Sequence, residues 1–362
     1  MPEGDMSNPH GEVISHAHYA YLTRKAIELF NRGELGNVVE LIVEPEYGYT
    51  TRLTYDDGSF RFTYGNDPGL NNSAASELAG DKGHAKFMLK QIGITTPEGR
   101  EFLLPWWAET IGESQRRRGN TELRTSDTAI EYIEGVLGFP AYIKRVDGSK
   151  GIGVMRVDNA QEAGEVIASF ERDKVRVMVV EEAVAMPDYR LVILDGTLIS
   201  SYRRIPLSVT GDGTSTIWEL IAEVQKEYLE EGRDTTINPN DTRIARQIGR
   251  QDLDLLSILP EEQSLELMTI SNLSAGGKAE DVTKSTHRRW RDLGAYIAAN
   301  FGLRLCGIDL ACDDIASPEA HYSVFEVNAA PGLDHYASTG DAQKRVVDDL
   351  YARVLSAYPS MK

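Results

Sequence analysis

Cysteine is almost missing: Cys306 and Cys312 are the only two in 362 residues. Two thiols cannot frame a disulfide-stapled fold, and such sparing use fits a reducing compartment. Long apolar runs are missing too. No stretch approaches the ~20 residues that span a bilayer. Met1 to His18 is polar and acidic where a secretory leader would carry an apolar core. The expectation is a cytoplasmic protein with no membrane partner. Positive charge is scarce, with 38 Lys and Arg against 56 Asp and Glu and a formal charge of −18. Such a surface repels nucleic-acid phosphates and anionic lipid, so nucleic acid is not an expected partner either. Any phosphate-bearing ligand therefore needs local cations or a metal. The seven histidines show neither His-Glu-x-x-His nor paired-Cys spacing, which speaks against zinc, and His10, His16 and His18 read as incidental. A Gly-x-Ser-x-Gly elbow, a Walker loop and a Rossmann fingerprint are all absent.

What is present is an ordinary globular composition, 41% hydrophobic and 26% charged, in a chain long enough for two or three lobes. The periodicity predicts a helix from His16 to Arg32, a strand from Val38 to Val43, and a hairpin of Thr50–Thr54 and Phe60–Thr63 around Asp56-Asp57-Gly58. Short helices follow from Asn71 and from Asp81 to Gln91. Ser126 to Val136 reads as a helix with Ser126 as N-cap. Then come a strand at Ala141–Lys144, a glycine-rich run from Gly148 to Gly153, a helix at Ala160–Phe170 and a buried strand at Val175–Glu181. A hairpin is expected at Tyr189–Leu194 and Thr197–Tyr202, and a helix near Ile217–Leu229. Gly232–Gln263 resists placement. A helix at Thr286–Phe301, strands at Leu305–Cys312 and Tyr322–Val327, and a closing helix at Gly340–Leu355 complete the reading.

The strongest chemical signal is the last strand pair. Side chains two apart on a strand share a face, so Glu326 and Asn328 point one way, and Asp309 joins them if the strands pair. Two carboxylates and an amide oxygen suit Mg²⁺; the plain alternative is a solvated hairpin face. The run Gly148-Ser149-Lys150-Gly151 lets backbone approach a phosphate, with Lys144 on the strand before it, or it is an ordinary turn. Glu181, Glu182 and Val184 end a buried strand that could offer backbone groups to a purine. Asp188 and Arg190 share a face beyond it. Asn272 to Lys278 is a second glycine-rich turn. His335 follows the Pro331-Gly332 turn as either a substrate contact or a polar loop residue, and both cysteines read as packing residues.

In this order the elements resemble the ATP-grasp superfamily from Asp81 to Tyr351, and within it the ATP-grasp part of cyanophycin synthetase and of similar glutathione-synthesising fusion enzymes. The stretches that carry the likeness are Arg204-Ile205-Pro206, Val209-Thr210-Gly211-Asp212-Gly213, Ser271 to Gly277, and Glu326-Val327-Asn328-Ala329-Ala330-Pro331-Gly332. The resemblance implies an α+β fold that holds a nucleotide between a small lid lobe and a C-terminal antiparallel-sheet lobe. The lobes would be an N-terminal substrate lobe at 1–80, a central lobe at 81–185 and a C-terminal lobe at 186–362. It implies ATP with Mg²⁺ or Mn²⁺, the metal held by Asp309, Glu326 and Asn328. Lys82, Lys144, Gly148, Ser149 and Gly151 would bind phosphates; Glu181, Glu182 and Val184 adenine; Asp188 ribose. Arg204, Asn272 and backbone near Gly332 would serve the reacting centre, and Arg190, Arg203 and His335 the substrate. The implied activity is amide-bond formation between a small-molecule carboxylate and an amine, amino acids in the first place, through an acyl phosphate. A ligase of peptide termini or a non-catalytic nucleotide-binding regulator are the alternatives, and a homodimer is left open. Two departures stand out: the sequence ends before the Mur-ligase-like half of the cyanophycin enzymes, so the second activity is not expected, and Met268-Thr269 stands where those enzymes would have an arginine.

Overall fold

The computed structural model describes residues 18–119, 123–146, 148, 151, 153–231, 233 and 235–358. Contacts divide them into two compact units: residues up to Leu70 with those from Arg345 onward, and Asn71–Lys344. Among the described residues every strand pair is antiparallel. With the intervening helices, this is the expected α+β class.

The first unit is a three-stranded meander, β1 (Val38–Val43), β2 (Thr50–Tyr55) and β3 (Phe60–Tyr64). The helix Tyr21–Asn31 buries Leu22, Ala26 and Leu29, one face at helical spacing. It starts later than the sequence suggested, after the Ala20 cap. The end of the chain completes the unit: Tyr55 donates to the Leu355 carbonyl at 2.9 Å and Arg61 to that of Val354 at 2.7 Å. Lys25, buried on the helix, pairs with Asp348 at 2.6 Å.

The second unit opens with the helices Ser73–Gly80 and Lys82–Gln91, each with a side-chain N-cap, Asn72 and Asp81. A four-stranded sheet follows, built from β4 (Gly99–Leu103), β5 (Ala141–Arg145), β6 (Val154–Val157) and β7 (Val177–Glu182) in the order β4-β7-β5-β6. Its core joins Phe102, Ile143, Met178 and Val180 to Val166 and Phe170 of the helix Ala160–Arg172. Two of its elements, β4 and the helix Pro105–Arg117, had no clear pattern in the sequence. Ser126 is not an N-cap. It lies inside a one-turn 3₁₀ segment, Ser126–Thr128, preceded by Thr125, and its hydroxyl is buried without a partner.

The chain then runs through β8 (Asp188–Leu194), β9 (Thr197–Ile205), the short pair β10 (Ser208–Thr210) and β11 (Ser264–Glu266), β12 (Lys278–Asp281), β13 (Leu305–Cys312) and β14 (Tyr322–Asn328). Five of these form the sheet β12-β9-β8-β13-β14. All eight residues of β13 are buried, as a central strand covered on both faces requires. One face packs Leu191, Ile193, Ile308 and Leu310 against Leu89, Trp290 and Ile297 of the helices Lys82–Gln91 and Arg288–Phe301. A third cluster gathers Ile217, Ile221, Ile244 and Ile248 around β10 and β11. Its helix Thr242–Gly249 occupies part of the stretch that the sequence left unplaced.

Gly99 shows how tightly β4 seats on β7. A Cβ there would lie 2.4 Å from the Val180 carbonyl oxygen and 2.8 Å from Glu181 Cγ. Gly99→Ala should cost about 1–3 kcal/mol as overpacking, seen as a lower urea midpoint. Gly80→Ala, with open space around it at the end of a helix, should be neutral or stabilising.

Candidate active site

One row of residues crosses the five-stranded sheet. Glu326 stands opposite Asp309, Asp309 opposite Arg190, Arg190 opposite Tyr202, and Tyr202 opposite Asp281. One step to one side of this row Asp188 faces Arg204, and one step to the other Gly307 faces Asn328. Strand periodicity thus collects acid and base on the face opposite the apolar core. Arg190 grips Asp309 with both Nε and Nη2, the latter at 2.9 Å. Arg204 sits 2.9 Å from the same carboxylate and donates to both oxygens of Asp188 at 2.8 and 2.9 Å. Ser271 also donates to Asp188. Burial would raise the Asp309 carboxyl, but the two guanidiniums outweigh it and hold it below the usual range. For Asp188, burial and the neighbouring Asp309 charge prevail over Arg204, and its carboxyl lies above the usual range.

A second cluster lies on the four-stranded sheet. Glu181, 3% exposed, accepts from Lys86 and from Lys144. Burial alone would raise its pKa, yet the two ammonium groups bring it down to about 2. The lysines respond differently. Burial prevails at Lys86 and lowers its pKa, whereas the Glu181 charge prevails at Lys144 and raises it. Lys82, one helical turn before Lys86, reaches the Gly148 carbonyl at 2.6 Å and Glu326 at 3.2 Å.

Both clusters open on one cavity of about 490 Å³, within the usual range of ligand sites. Lys82, Lys144, Gly148, Gly151, Glu181, Glu182 and Val184 line it on one side; Asp188, Arg203, Arg204, Asn272, Asp309 and Glu326 on the other. Not every expected residue is on this wall. Arg190 stands behind it, engaged with Asp309. Asn328 is beside Glu326 on β14 without lining the cavity, and its Nδ2 is buried and unpartnered. Gly332 is not on the wall either. His335 lies 3.3 Å from Thr235 Oγ1, also away from it. Ser149 falls outside the described residues. Glu182 is already engaged, accepting from the Glu98 amide at 2.8 Å. Lys86, Tyr142, Ile270 and Phe325 escaped the sequence reading, and Ser271 entered it only within a stretch that carries the family likeness; the one signal for Lys86 is its spacing of four from Lys82, which puts both on one helix face. Burial pushes the Cys306 thiol up to about 12 and that of Cys312 up to about 11, so neither is a nucleophile.

The charges of the cavity bear on what it can hold. Six carboxylates line it against four cationic side chains, and Lys86 and Arg190 behind the wall bring the signs into balance. A polyphosphate entering alone would upset that balance, so it needs an accompanying cation. Among the described residues no group of three or more His, Cys, Asp or Glu side chains is arranged to hold a metal ion. Asp309 and Glu326 remain as a cross-strand pair with the Asn328 amide next to them. That donor set fits Mg²⁺, which is commonly held by one or two carboxylates with the remaining ligands from water and substrate phosphates.

The cavity lies between a lysine-bearing sheet with a glycine loop and a sheet bearing an acidic strand pair, and the chain has the ATP-grasp fold. Residues 116–218 match the model of the RimK-like ATP-grasp domain. The chain is 34% identical to cyanophycin synthetase of Synechocystis sp. over 75% of its own length and 29% of that protein. It is 26% identical to the glutathione biosynthesis bifunctional protein GshAB of Streptococcus thermophilus over 94% of this chain and 45% of the relative. The crystal structure of a bifunctional glutathione synthetase from Pasteurella multocida superposes with a TM-score of 0.56 at 19% identity, covering 92% of this chain and 44% of that one. The chain thus spans less than half the length of these relatives. The resemblance drawn from the ordered motifs, and the α+β ATP-grasp fold it implied, are borne out.

Glu181 yields a test of the site's electrostatics. Its folded pKa is depressed to about 2 from an ordinary 4.5, so its contribution to stability is full above pH 4.5 and fades as the pH falls toward about 2. Glu181→Gln should flatten the stability profile in that window. At neutral pH it should destabilise by about 3–5 kcal/mol, because two buried ammonium groups lose their counter-charge. Denaturant titrations of both proteins across the pH series read both effects.

Proposed function

We propose that the chain is an ADP-forming ATP-dependent ligase that joins a carboxylate to an amine, with amino acids as the substrates. The observation that carries this reading is the meeting, in one cavity, of Lys82, Lys144 and the glycine loop with the Asp309–Glu326 pair. The similarity to proteins named cyanophycin synthetase and glutathione synthetase supports it. Of the proposed lobes, 81–185 carries the glycine-rich lid, 186–362 the metal and the reacting groups, and 1–80 the substrate, whereas the contacts group 71–80 with the second unit and the residues from Arg345 onward with the first.

In this reading Lys82 and Lys144 hold phosphate oxygens, exchanging part of their contact with Glu326 and Glu181 for the incoming anion. The backbone of Gly148 and Gly151 borders the same space. The strand end at Glu181–Val184 receives the adenine. Asp188, already bonded by Arg204 and Ser271, orients Arg204 as much as it meets ribose. Asp309 and Glu326, with the Asn328 amide, would hold Mg²⁺, which supplies charge neutralisation for phosphoryl transfer. Arg203 and Arg204 hold the substrate carboxylate while it attacks the γ-phosphorus and ADP leaves. The amine then attacks the acyl phosphate and phosphate departs. Fixed guanidinium and amide donors stabilise the charge on the tetrahedral oxygen. The chain needs no nucleophile of its own for this chemistry.

The test is release of ADP and phosphate from Mg²⁺-ATP against amino acids, singly and in pairs, with mass analysis of the products. The expected result is phosphate release that depends on a pair and matches a dipeptide mass. Release only with a peptide acceptor would move the reading to a ligase of peptide termini, and ATP binding without turnover would make the chain a regulator. Glu326→Ala should lower turnover at least about a hundredfold, since metal-borne charge stabilisation amounts to several kcal/mol. Its circular dichroism should match the wild type, and unchanged turnover would remove Glu326 from the metal site.

A further inference from the structure

The helix Thr242–Gly249 carries three arginines, Arg243, Arg246 and Arg250, at or just beyond its turns with spacings of three and four. Such spacing puts them on one face, while Ile244 and Ile248 anchor the other in the core around β10 and β11. The arginine face meets the lobe of the glycine loop. Arg250 pairs with Asp158 and with Glu162, the latter at 2.8 Å, and donates to the Arg156 carbonyl at 3.2 Å. Arg246 pairs with Glu165 at 3.0 Å in a more exposed setting. Arg243 does something different. Its Nη1 donates to the carbonyl oxygen of Gly151 at 3.0 Å. The guanidinium itself is fixed by Asp241, the N-cap of the same helix, with Nε at 3.0 and 3.1 Å and Nη2 at 2.6 Å from the carboxylate oxygens.

Gly151 is therefore held from two sides. Its φ of +74° is the left-handed region that glycine tolerates. A Cβ on it would meet Ile270 Cδ1 at 2.6 Å and Asn272 Oδ1 at 2.8 Å, so the segment 270–272 packs closely against it. Gly148, earlier in the same loop, is held by Lys82. Both glycines line the cavity and Arg243 does not.

We infer that Arg243 is a positioning residue for nucleotide binding: it acts through the Gly151 carbonyl, fixing that group at the cavity wall without touching the nucleotide. The inference rests on the proposed function, since it gives the loop the task of meeting ATP phosphates. A charge-assisted bond from a guanidinium already oriented by a carboxylate is worth more than a neutral one, and it places the peptide it grips. The helix spans both parts of the site: its apolar face belongs to the core of β10 and β11, its basic face to the lobe of β6.

The experiment compares full-length wild type, Arg243→Ala, Arg243→Lys and Arg246→Ala. Calorimetry measures Mg²⁺-ATP binding and the ADP-release assay separates KM from kcat. Arg243→Ala should weaken ATP binding and raise KM for ATP about tenfold, the scale of one charge-assisted hydrogen bond, with a smaller change in kcat. Arg243→Lys should recover part of the affinity, and Arg246→Ala should bind as the wild type does. The thermal midpoint of Arg243→Ala should stay close to wild type because Ile244 and Ile248 still seat the helix. Wild-type affinity in Arg243→Ala would overturn the inference, and so would an equal loss in Arg246→Ala, which would make the effect one of general lobe docking. A wild type that does not bind Mg²⁺-ATP would overturn the proposed function and this inference with it. Binding in the wild type without an effect of Arg243→Ala would overturn this inference alone.

Discussion

Burying Asp309 on an interior strand of a five-stranded sheet is the constraint from which the rest of the site follows. An isolated carboxylate there would be too costly to keep ionised. It survives as an anion because Arg190 from β8 and Arg204 from β9 reach it together. That demand fixes the order of strands, since β8 has to lie next to β13 and β9 next to β8. It also accounts for Gly307 on β13. A Cβ at Gly307 would stand 3.0 Å from Arg190 Cδ and 2.9 Å from Pro331 Cβ, so the smallest residue makes room both for the arginine stem and for the turn after β14. Asp188 is then drawn in as the second partner of Arg204.

The same economy governs the facing sheet. Glu181 serves two lysines that come from different elements, Lys86 from the helix after Asp81 and Lys144 from β5. Each cluster keeps its cations beside carboxylates in a chain whose net charge is −18. The cavity is thus rich in ionic partners but close to neutral.

The parts of this arrangement that were legible in the sequence were those with a strict local period. The i, i+2 relation placed Glu326 with Asn328, and the β-hairpin rule placed β8 beside β9. The glycine run announced itself by residue type, whereas Lys82 entered only through the resemblance. What stayed hidden was long-range or masked by polarity. Lys86 reads as a solvated helix residue until β7 brings Glu181 against it from 95 positions away. β4 mixes Arg100 and Glu101 with Phe102, so neither strand alternation nor an apolar run betrays it. The helix Thr242–Gly249 is only eight residues long and arginine-rich, and its apolar residues are too few to stand out from the polar stretch around it. Arg190 looked free to bind a substrate because its claim on Asp309 depends on sheet register, which a single sequence does not display.

The first compact unit has a temporal consequence. It is assembled from both ends of the described chain: Lys25 needs Asp348, and Arg61 needs the Val354 carbonyl. The second unit lies wholly between those ends, from Asn71 to Lys344. The residues of the second unit are all made before those of the first unit's closing segment, so the first unit cannot be completed until synthesis has passed Leu355. The meander of β1 to β3 has to wait for the last helix, with Arg61 and the Tyr55 hydroxyl meanwhile relying on water for their hydrogen bonds. The earliest-made segment of the described chain is therefore among the last to reach its native contacts, which leaves the strand edges of the meander open to intermolecular pairing throughout elongation.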